Sequence, residues 1–239
     1  MTVTRLVLEY DGRPFAGWAQ QPGERSVEGE LLSALRKLLR REISLEVAGR
    51  TDRGVHALGQ VVSYDGPVPS LSSLNAVLPT EIAVTVAEEA PHRFSARYDA
   101  VSRSYRYRVW TRSSLSPFNA KSALWWPYRL DESVLHSCAA QLPGKHDFRA
   151  FTPSQTHHRH YRRHVMRAAW RRDAEILEFS IEADSFLRHM NRILIGTMLE
   201  AASGRRPADQ MGDLLMGRPR SHAGRTVPPH GLCLTGVRY

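Results

Sequence analysis

The stretch AGRTDRGVHALGQVVSYD, residues 48–65, joins a glycine-containing turn to an apolar segment that is predicted to form a strand. Asp52 lies in the turn between Arg50 and Arg53. Two neighbouring cations favour the ionised carboxylate, and glycines allow the backbone to approach a ligand closely. Such a carboxylate suits nucleophilic or electrostatic catalysis. A structural ion pair within a turn explains the same pattern, so the residues alone leave both readings open.

Regular elements are predicted on both sides of this stretch in the first half of the chain. Leu6, Leu8 and Tyr10 alternate as on one face of a strand, and Ser26 can cap a helix that buries a stripe of leucines. Further strands are predicted at residues 43–47, 61–64 and 82–86, and a second helix at residues 71–78.

The second half repeats this mixture of strands and helices. Strands are predicted at residues 105–110, 165–170, 176–181 and 231–239, and helices at residues 131–142, at residues 185–203 and after Pro207. In the first of these strands, Tyr105 and Tyr107 are interpreted as one buried and one exposed position. The fold class is therefore predicted to be α+β, with an N-terminal domain at residues 1–102 and a C-terminal domain at residues 103–239.

Charge is distributed unevenly along the sequence. Residues 1–100 contain 11 Lys and Arg against 13 Asp and Glu, whereas residues 101–239 contain 22 against 11. Thirty of the 33 basic residues are arginines, whose planar side chains bind phosphate and stack on bases. Genome composition explains a preference for arginine over lysine but not this asymmetry. The pattern favours a nucleic-acid partner.

Membrane, secretory and disulfide classes are disfavoured. No apolar run approaches the roughly 20 residues of a membrane helix, and the first residues lack the pattern of a secretory signal. Cys138 and Cys233 are distant in sequence and are expected to be packing residues. These features indicate a cytoplasmic protein.

Five segments together carry a more specific pattern. They are GRTDRGVHALGQ (residues 49–60), EYDGRPFAGWAQQP (9–22), FSARYDAVSRSYRYRVW (94–110), SFLRHMNRILIGTMLEAASGRRP (185–207) and GLCLTGVRY (231–239). This pattern resembles the tRNA pseudouridine synthase A family, in which an Asp within G-R-T-D-x-G-V-H is the essential catalytic residue. The resemblance extends over nearly the whole chain.

The resemblance implies roles for individual side chains. Asp52 corresponds to the catalytic carboxylate, and Arg50 to the arginine that pairs with it and helps to hold the site open. Tyr105 corresponds to an aromatic contact of the target uracil, while Arg192 and Leu232 correspond to positions near the same pocket. A uridine in a helical stem must leave the stack before it can react, so an aromatic or apolar wall is expected to receive it.

The resemblance also implies the overall organisation and the reaction. It implies two domains, each an antiparallel sheet covered by helices, with an active-site cleft between them, in a homodimer that binds the tRNA anticodon stem-loop. The implied reaction converts uridine to pseudouridine at positions 38, 39 and 40 of tRNA. It requires no cofactor and no metal, in keeping with the lack of a P-loop or of zinc-ligand spacing in the sequence.

Two other functions are considered. One is a non-catalytic RNA-binding module, which the combination of Asp52, Arg50 and Tyr105 disfavours. The other is a metal-dependent hydrolase that uses the histidines of residues 157–164, where a contact to the tRNA backbone is the preferred interpretation. Arg53 occupies a position at which the family more often has a small residue, and either a phosphate contact or a solvent-exposed side chain is compatible with it.

Removal of metal by EDTA is expected to leave pseudouridine formation unchanged. Arg159, Arg162 and Arg163 stand among the histidines where carboxylate ligands would be expected, and their charge repels a cation. The measurement is the rate of pseudouridine formation by stripped enzyme on tRNA folded with Mg²⁺. Loss of activity that only zinc restores would contradict the prediction.

Overall fold

The computed structural model describes residues 2–156 and 158–239. The chain divides into two compact units. The first unit contains residues 2–103 together with Cys233–Tyr239, and the second contains Ser104–Leu232. The C-terminal segment therefore belongs to the same unit as the N-terminal residues. Both units mix strands and helices, which confirms the α+β class.

The first unit is built on a mostly antiparallel sheet. Its elements are β1 (Val3–Tyr10), α1 (Val27–Leu39), β2 (Glu46–Val47), β3 (His56–Asp65), α2 (Leu71–Val77), β4 (Ile82–Ala90) and most of β10 (Leu232–Arg238). The strand order is β4-β1-β3-β10, with β2 beside β3. Only the β3–β10 pairing is parallel among these. In β3, all five residues from Gln60 to Tyr64 are buried, so both faces of this strand are covered.

Local signals account for most elements of the first unit. Leu6, Leu8 and Tyr10 are buried on β1, as the alternation predicts. The hydroxyl of Ser26 accepts a hydrogen bond from the backbone N–H of Gly29 and so caps α1, as predicted. The strand predicted at residues 43–47 is shorter, since only Glu46–Val47 pairs with β3.

The second unit has its own strands and its own core. Its elements are most of β5 (Ser102–Trp110), β6 (Leu124–Trp125), α3 (Glu132–Ala140), β7 (Gly144–Asp147), β8 (Arg162–Asp173), β9 (Ile176–Ala183), α4 (Met190–Ala202) and α5 (Gln210–Leu214), with 3₁₀ turns at Arg149–Phe151, Arg220–His222 and Pro229–Gly231. The strand order is β5-β9-β8-β7, with β6 beside β5. Trp170 lies opposite Phe179 in the β8–β9 pair, and the centroids of their rings are 5.1 Å apart.

Helix α4 forms the core of the second unit but begins later than the sequence pattern predicts. It starts at Met190 instead of residue 185, because His189 adopts a left-handed conformation with φ of 61° that an α-helix cannot contain. Ser185 is instead held in a local turn, where its backbone N–H donates to the Asp184 carboxylate at 2.5 Å. Arg188 therefore precedes the helix and does not share a helical face with Arg192.

Within residues 2–156 and 158–239, every helix is too short or too polar to cross a membrane.

Candidate active site

Asp52 is positioned by hydrogen bonds of the backbone around it. The carbonyl of Thr51 accepts a hydrogen bond from the backbone N–H of Trp18 at 3.0 Å, and the carbonyl of Asp52 accepts one from Val55 at 3.1 Å. Asp52 and Gly17 form an isolated antiparallel bridge. The carboxylate-bearing turn is thus held against the loop that follows β1, and Asp52 itself is half-buried.

Two glycines of that loop permit this close packing. A Cβ atom on Gly12 would lie 1.9 Å from the carbonyl oxygen of Val55, and one on Gly17 would lie 2.9 Å from that of Thr51. Gly17 also has φ of +118°, a conformation that other residues rarely adopt. The loop can therefore approach the Asp52 turn only where side chains are absent.

A buried hydrogen-bond network supports the other side of the turn. The hydroxyls of Tyr10 and Thr51 lie 2.8 Å apart, and the Gln60 amide donates to the Tyr10 oxygen at 3.3 Å and to the carbonyl of Gly49 at 2.7 Å. Burial raises the pKa of Tyr10, so its hydroxyl stays protonated. The residues that precede Asp52, Gly49 and Thr51, are thus fixed to β3 and β1.

Polar and charged groups lie at the exposed rim of the turn. His56 Nδ1 lies 3.3 Å from the Asp11 carboxylate and accepts a hydrogen bond from the backbone of Gly12 at 3.3 Å. Arg50 is exposed beside Asp52. The guanidinium of Arg53 pairs with Glu24 at 2.8 Å, and both side chains are largely exposed. This ion pair therefore links the turn to the C-terminal part of the loop, around Glu24.

Tyr105 lies on β5 in the second unit. It is buried, and its ring packs edge-on against Phe186 with the centroids 4.9 Å apart. The interpretation of Tyr105 and Tyr107 as one buried and one exposed residue is wrong, because both are buried. Residues two apart in a strand point to the same face, so burial of one is accompanied by burial of the other.

Arg192 and Leu232 are linked through the segment that precedes β10. The guanidinium Nε of Arg192 donates to the carbonyl of Val227 at 2.9 Å, and Val227 donates back to the Arg192 carbonyl at 3.3 Å. Leu232 is buried at the end of the same segment. The Tyr107 hydroxyl donates to the carbonyl of Pro228 at 2.9 Å, which fixes the segment to β5.

The histidine-rich run contacts the chain around α4. His158 Nε2 accepts a hydrogen bond from the backbone N–H of Arg188 at 3.2 Å. His157 lies outside the described residues. Among those that are described, no three His, Cys, Asp or Glu side chains form a group able to hold a metal ion.

The sequence pattern predicts a role for Asp52 but does not indicate the groups that position it. The sequence predicts Tyr10 only as part of a strand face, and Gln60 lies within the motif without an assigned role. Gln60 carries a partial signal, since it directly precedes the strand predicted at residues 61–64, and a polar side chain that becomes buried there must find partners. Gly12 and Gly17 carried a weaker one, because a glycine in a loop indicates a turn as readily as a close contact.

Comparison with known proteins shows which family the chain is similar to. A family model described as tRNA pseudouridine synthase matches residues 138–239. The chain is 38% identical to tRNA pseudouridine synthase A of Bacillus pumilus, over 98% of this chain and 98% of that protein. It is also 38% identical to the proteins of the same name from Geobacillus kaustophilus, with 98% and 93% covered, and Bacillus subtilis, with 98% and 98% covered.

Substitution of Gly12 by alanine is expected to destabilise the Asp52 turn. The new methyl group would overlap the Val55 carbonyl, and overpacking of this kind costs about 1–3 kcal/mol. Gly236→Ala is the matched control, since its Cβ would meet nothing within 4 Å, and a change within about 0.5 kcal/mol is expected. Denaturant unfolding measures both, and hydrogen exchange of the Val55 amide reports on the turn. Equal stability of the two variants would show that the loop adapts freely.

Proposed function

The chain belongs to the tRNA pseudouridine synthase A family, and on that premise we propose that it converts uridine to pseudouridine at positions 38, 39 and 40 of the tRNA anticodon stem-loop. It is an isomerase that acts on tRNA. The single observation that supports Asp52 as its catalytic residue is the rigid, half-buried turn in which that carboxylate lies. Neither a non-catalytic RNA-binding module nor a metal-dependent hydrolase accounts for full-length similarity to these synthases.

The proposed reaction is balanced within the substrate. The bond between N1 of uracil and C1′ of ribose breaks, the uracil rotates, and a bond forms between C5 and C1′. The proton on C5 leaves and N1 acquires a proton, so no oxidant or group donor is consumed. Asp52 can attack the sugar, attack the uracil or remove a sugar proton, and each of these roles requires an ionised carboxylate held in place.

The rigid turn matters because catalysis depends on placement. A misplacement of about 1 Å at a reacting group can lower a rate by roughly 100-fold. The network of Tyr10, Thr51 and Gln60 and the close contacts of Gly12 and Gly17 restrict the backbone on both sides of Asp52. This geometry supports a reaction in which one carboxylate performs the chemistry.

Four other side chains are proposed to contact the target uridine. Tyr105 would provide an aromatic face, held at a fixed angle by Phe186, and Leu232 an apolar one. Arg192, fixed through Val227, would provide positive charge towards the phosphate and sugar of the flipped nucleotide, and the exposed Arg50 would pair with Asp52 and help to hold the site open for the base. The first of the two predicted domains would thus carry the carboxylate, and the second the wall of the pocket.

The distribution of charge supports tRNA as the partner. Residues 104–232 carry 20 Lys and Arg against 11 Asp and Glu, a net charge of +9, whereas the remaining residues carry 13 of each sign. Phosphate contacts supply much of the affinity of RNA-binding proteins, so the second unit is proposed as the main tRNA-binding surface. A homodimer in the cytoplasm, with no cofactor and no metal, completes the proposal and rests on the family resemblance.

Asp52→Asn is expected to abolish pseudouridine formation and to change tRNA affinity by less than about tenfold. The amide keeps the size of the side chain but removes the charge that the chemistry requires, while binding depends on the basic surface. Tritium release from tRNA labelled at C5 of uridine measures turnover, because that hydrogen leaves only when the new C–C bond forms. Asp65→Asn, at the exposed end of β3, is the control. Normal turnover by Asp52→Asn would remove this residue from the mechanism.

Arg162→Ala and Arg163→Ala are expected to differ, although the residues are adjacent. Arg162 is exposed, so its loss should reduce the slope of log affinity against log salt by about 0.7–0.9. Arg163 donates to the carbonyls of His160 and Arg162 at 3.0 and 2.7 Å, and burial lowers its pKa. Its loss should lower the melting temperature with a smaller effect on the slope.

Tyr105→Ala completes this comparison, since it removes no charge and should lower turnover at an unchanged salt slope. An unchanged slope in Arg162→Ala would mean that the start of β8 does not contact tRNA.

A further inference from the structure

Two arginines and two aromatic residues form a cluster on the surface of the second unit. The guanidinium carbons of Arg205 and Arg225 lie 5.7 and 4.8 Å from the ring centroid of Trp126, and that of Arg205 lies 5.4 Å from the ring of Tyr128. The rings of Trp126 and Tyr128 meet edge-on at 5.7 Å. We call these four residues the arginine–aromatic cluster. Within it Trp126 is buried, whereas Tyr128 is 58% exposed.

The backbone of both arginines is fixed by α4. Arg205 follows the left-handed Gly204 at the end of this helix, and its N–H donates to the carbonyl of Glu200 at 2.9 Å. The N–H of Arg225 donates to the Glu200 carboxylate at 3.0 Å. A Cβ on Gly196 would lie 1.9 Å from the Arg225 carbonyl oxygen, so the Arg225 segment packs directly on the helix. The two side chains therefore start from a rigid base.

The charges of these two arginines are not neutralised within the described part of the chain. Neither guanidinium lies within 4.0 Å of a carboxylate there, whereas the nearby Arg206 and Arg218 pair with Glu200 and Asp213 at 3.3 and 3.7 Å. Stacking on an aromatic ring orients a guanidinium but leaves its N–H donors available at the ring edge. Two oriented, uncompensated arginines beside an exposed tyrosine form a site suited to phosphate and to a nucleotide ring.

We propose that the arginine–aromatic cluster is a tRNA contact in which Arg205 and Arg225 bind backbone phosphates and Tyr128 stacks on an exposed base. This rests on the proposed function and adds the residues through which the second unit holds its substrate. Arginine forms bidentate contacts with phosphate, and an exposed aromatic ring accepts any base because every base has a π-face. The contact is therefore independent of tRNA sequence.

A purely structural role would also explain why the arginines cover Trp126. Glutamine variants separate the two roles, because glutamine retains an aliphatic stem over the ring and removes the charge. A structural role changes thermal stability, whereas a phosphate contact changes the dependence of affinity on salt. The test therefore measures both quantities on the full-length protein.

The variants are Arg205→Gln, Arg225→Gln, the double variant and Tyr128→Leu, with Arg112→Gln as the matched control. Arg112 also lies over an aromatic ring, at 5.0 Å from Trp110, but it is paired with Glu175 at 4.0 Å. Each single glutamine substitution in the cluster should lower tRNA affinity about five- to eightfold at 0.1 M salt. It should also reduce the slope of log affinity against log salt by about 0.7–0.9. Tyr128→Leu should lower affinity about tenfold at an unchanged slope. The control should match the parent protein.

These outcomes are distinguishable from a failure of the proposed function. Turnover at saturating tRNA, followed by tritium release, should be unaffected in every cluster variant. If the parent protein released no tritium, the proposed function would fail, while the binding measurements would still decide the role of the cluster. If the double variant kept the parental affinity and slope, the cluster would not contact tRNA, whatever its effect on stability.

Discussion

The close contact between the loop after β1 and the turn that carries Asp52 is the constraint on which the candidate site depends. Gly12 and Gly17 allow two backbone segments to touch where any side chain would overlap a carbonyl oxygen. The buried network of Tyr10, Thr51 and Gln60 fixes the turn from its other side. Strands β1 and β3 pair antiparallel over most of their length and carry both sets of contacts, so the sheet of the first unit determines where the carboxylate lies.

The second unit fixes its own functional segment in a similar way. Gly196 on α4 and Gly231 before β10 leave room for the carbonyl of Arg225 and the ring of Tyr107, respectively. The segment from Arg225 to Gly231 contains Val227, whose carbonyl accepts the hydrogen bond that orients Arg192. Close contacts at glycines therefore accompany both Asp52 and Arg192, because a backbone fixed on a neighbour has less freedom than one on a solvated loop.

The sequence predicted the periodic elements and not the contacts that shape the site. Alternation along β1 and the Ser26 cap are local signals that the structure confirms. The predicted start of α4 at residue 185 is wrong because the left-handed conformation of His189 has no local sequence signal. Histidine is a residue type that is compatible with a helix. Asp52 was identified through a motif, whereas its support by Tyr10 joins residues 41 positions apart, and such long-range pairing cannot be read from a single sequence.

The separation of charge between the two units follows from the energetics of the proposed reaction. Isomerisation within one nucleotide consumes no reagent, so the main free-energy cost before chemistry is the extrusion of the uridine, about a few kcal/mol. Phosphate contacts can supply that free energy without contacting the reacting atoms. Basic residues can therefore be concentrated in residues 104–232, where the net charge is +9, while the first unit has equal numbers of basic and acidic residues.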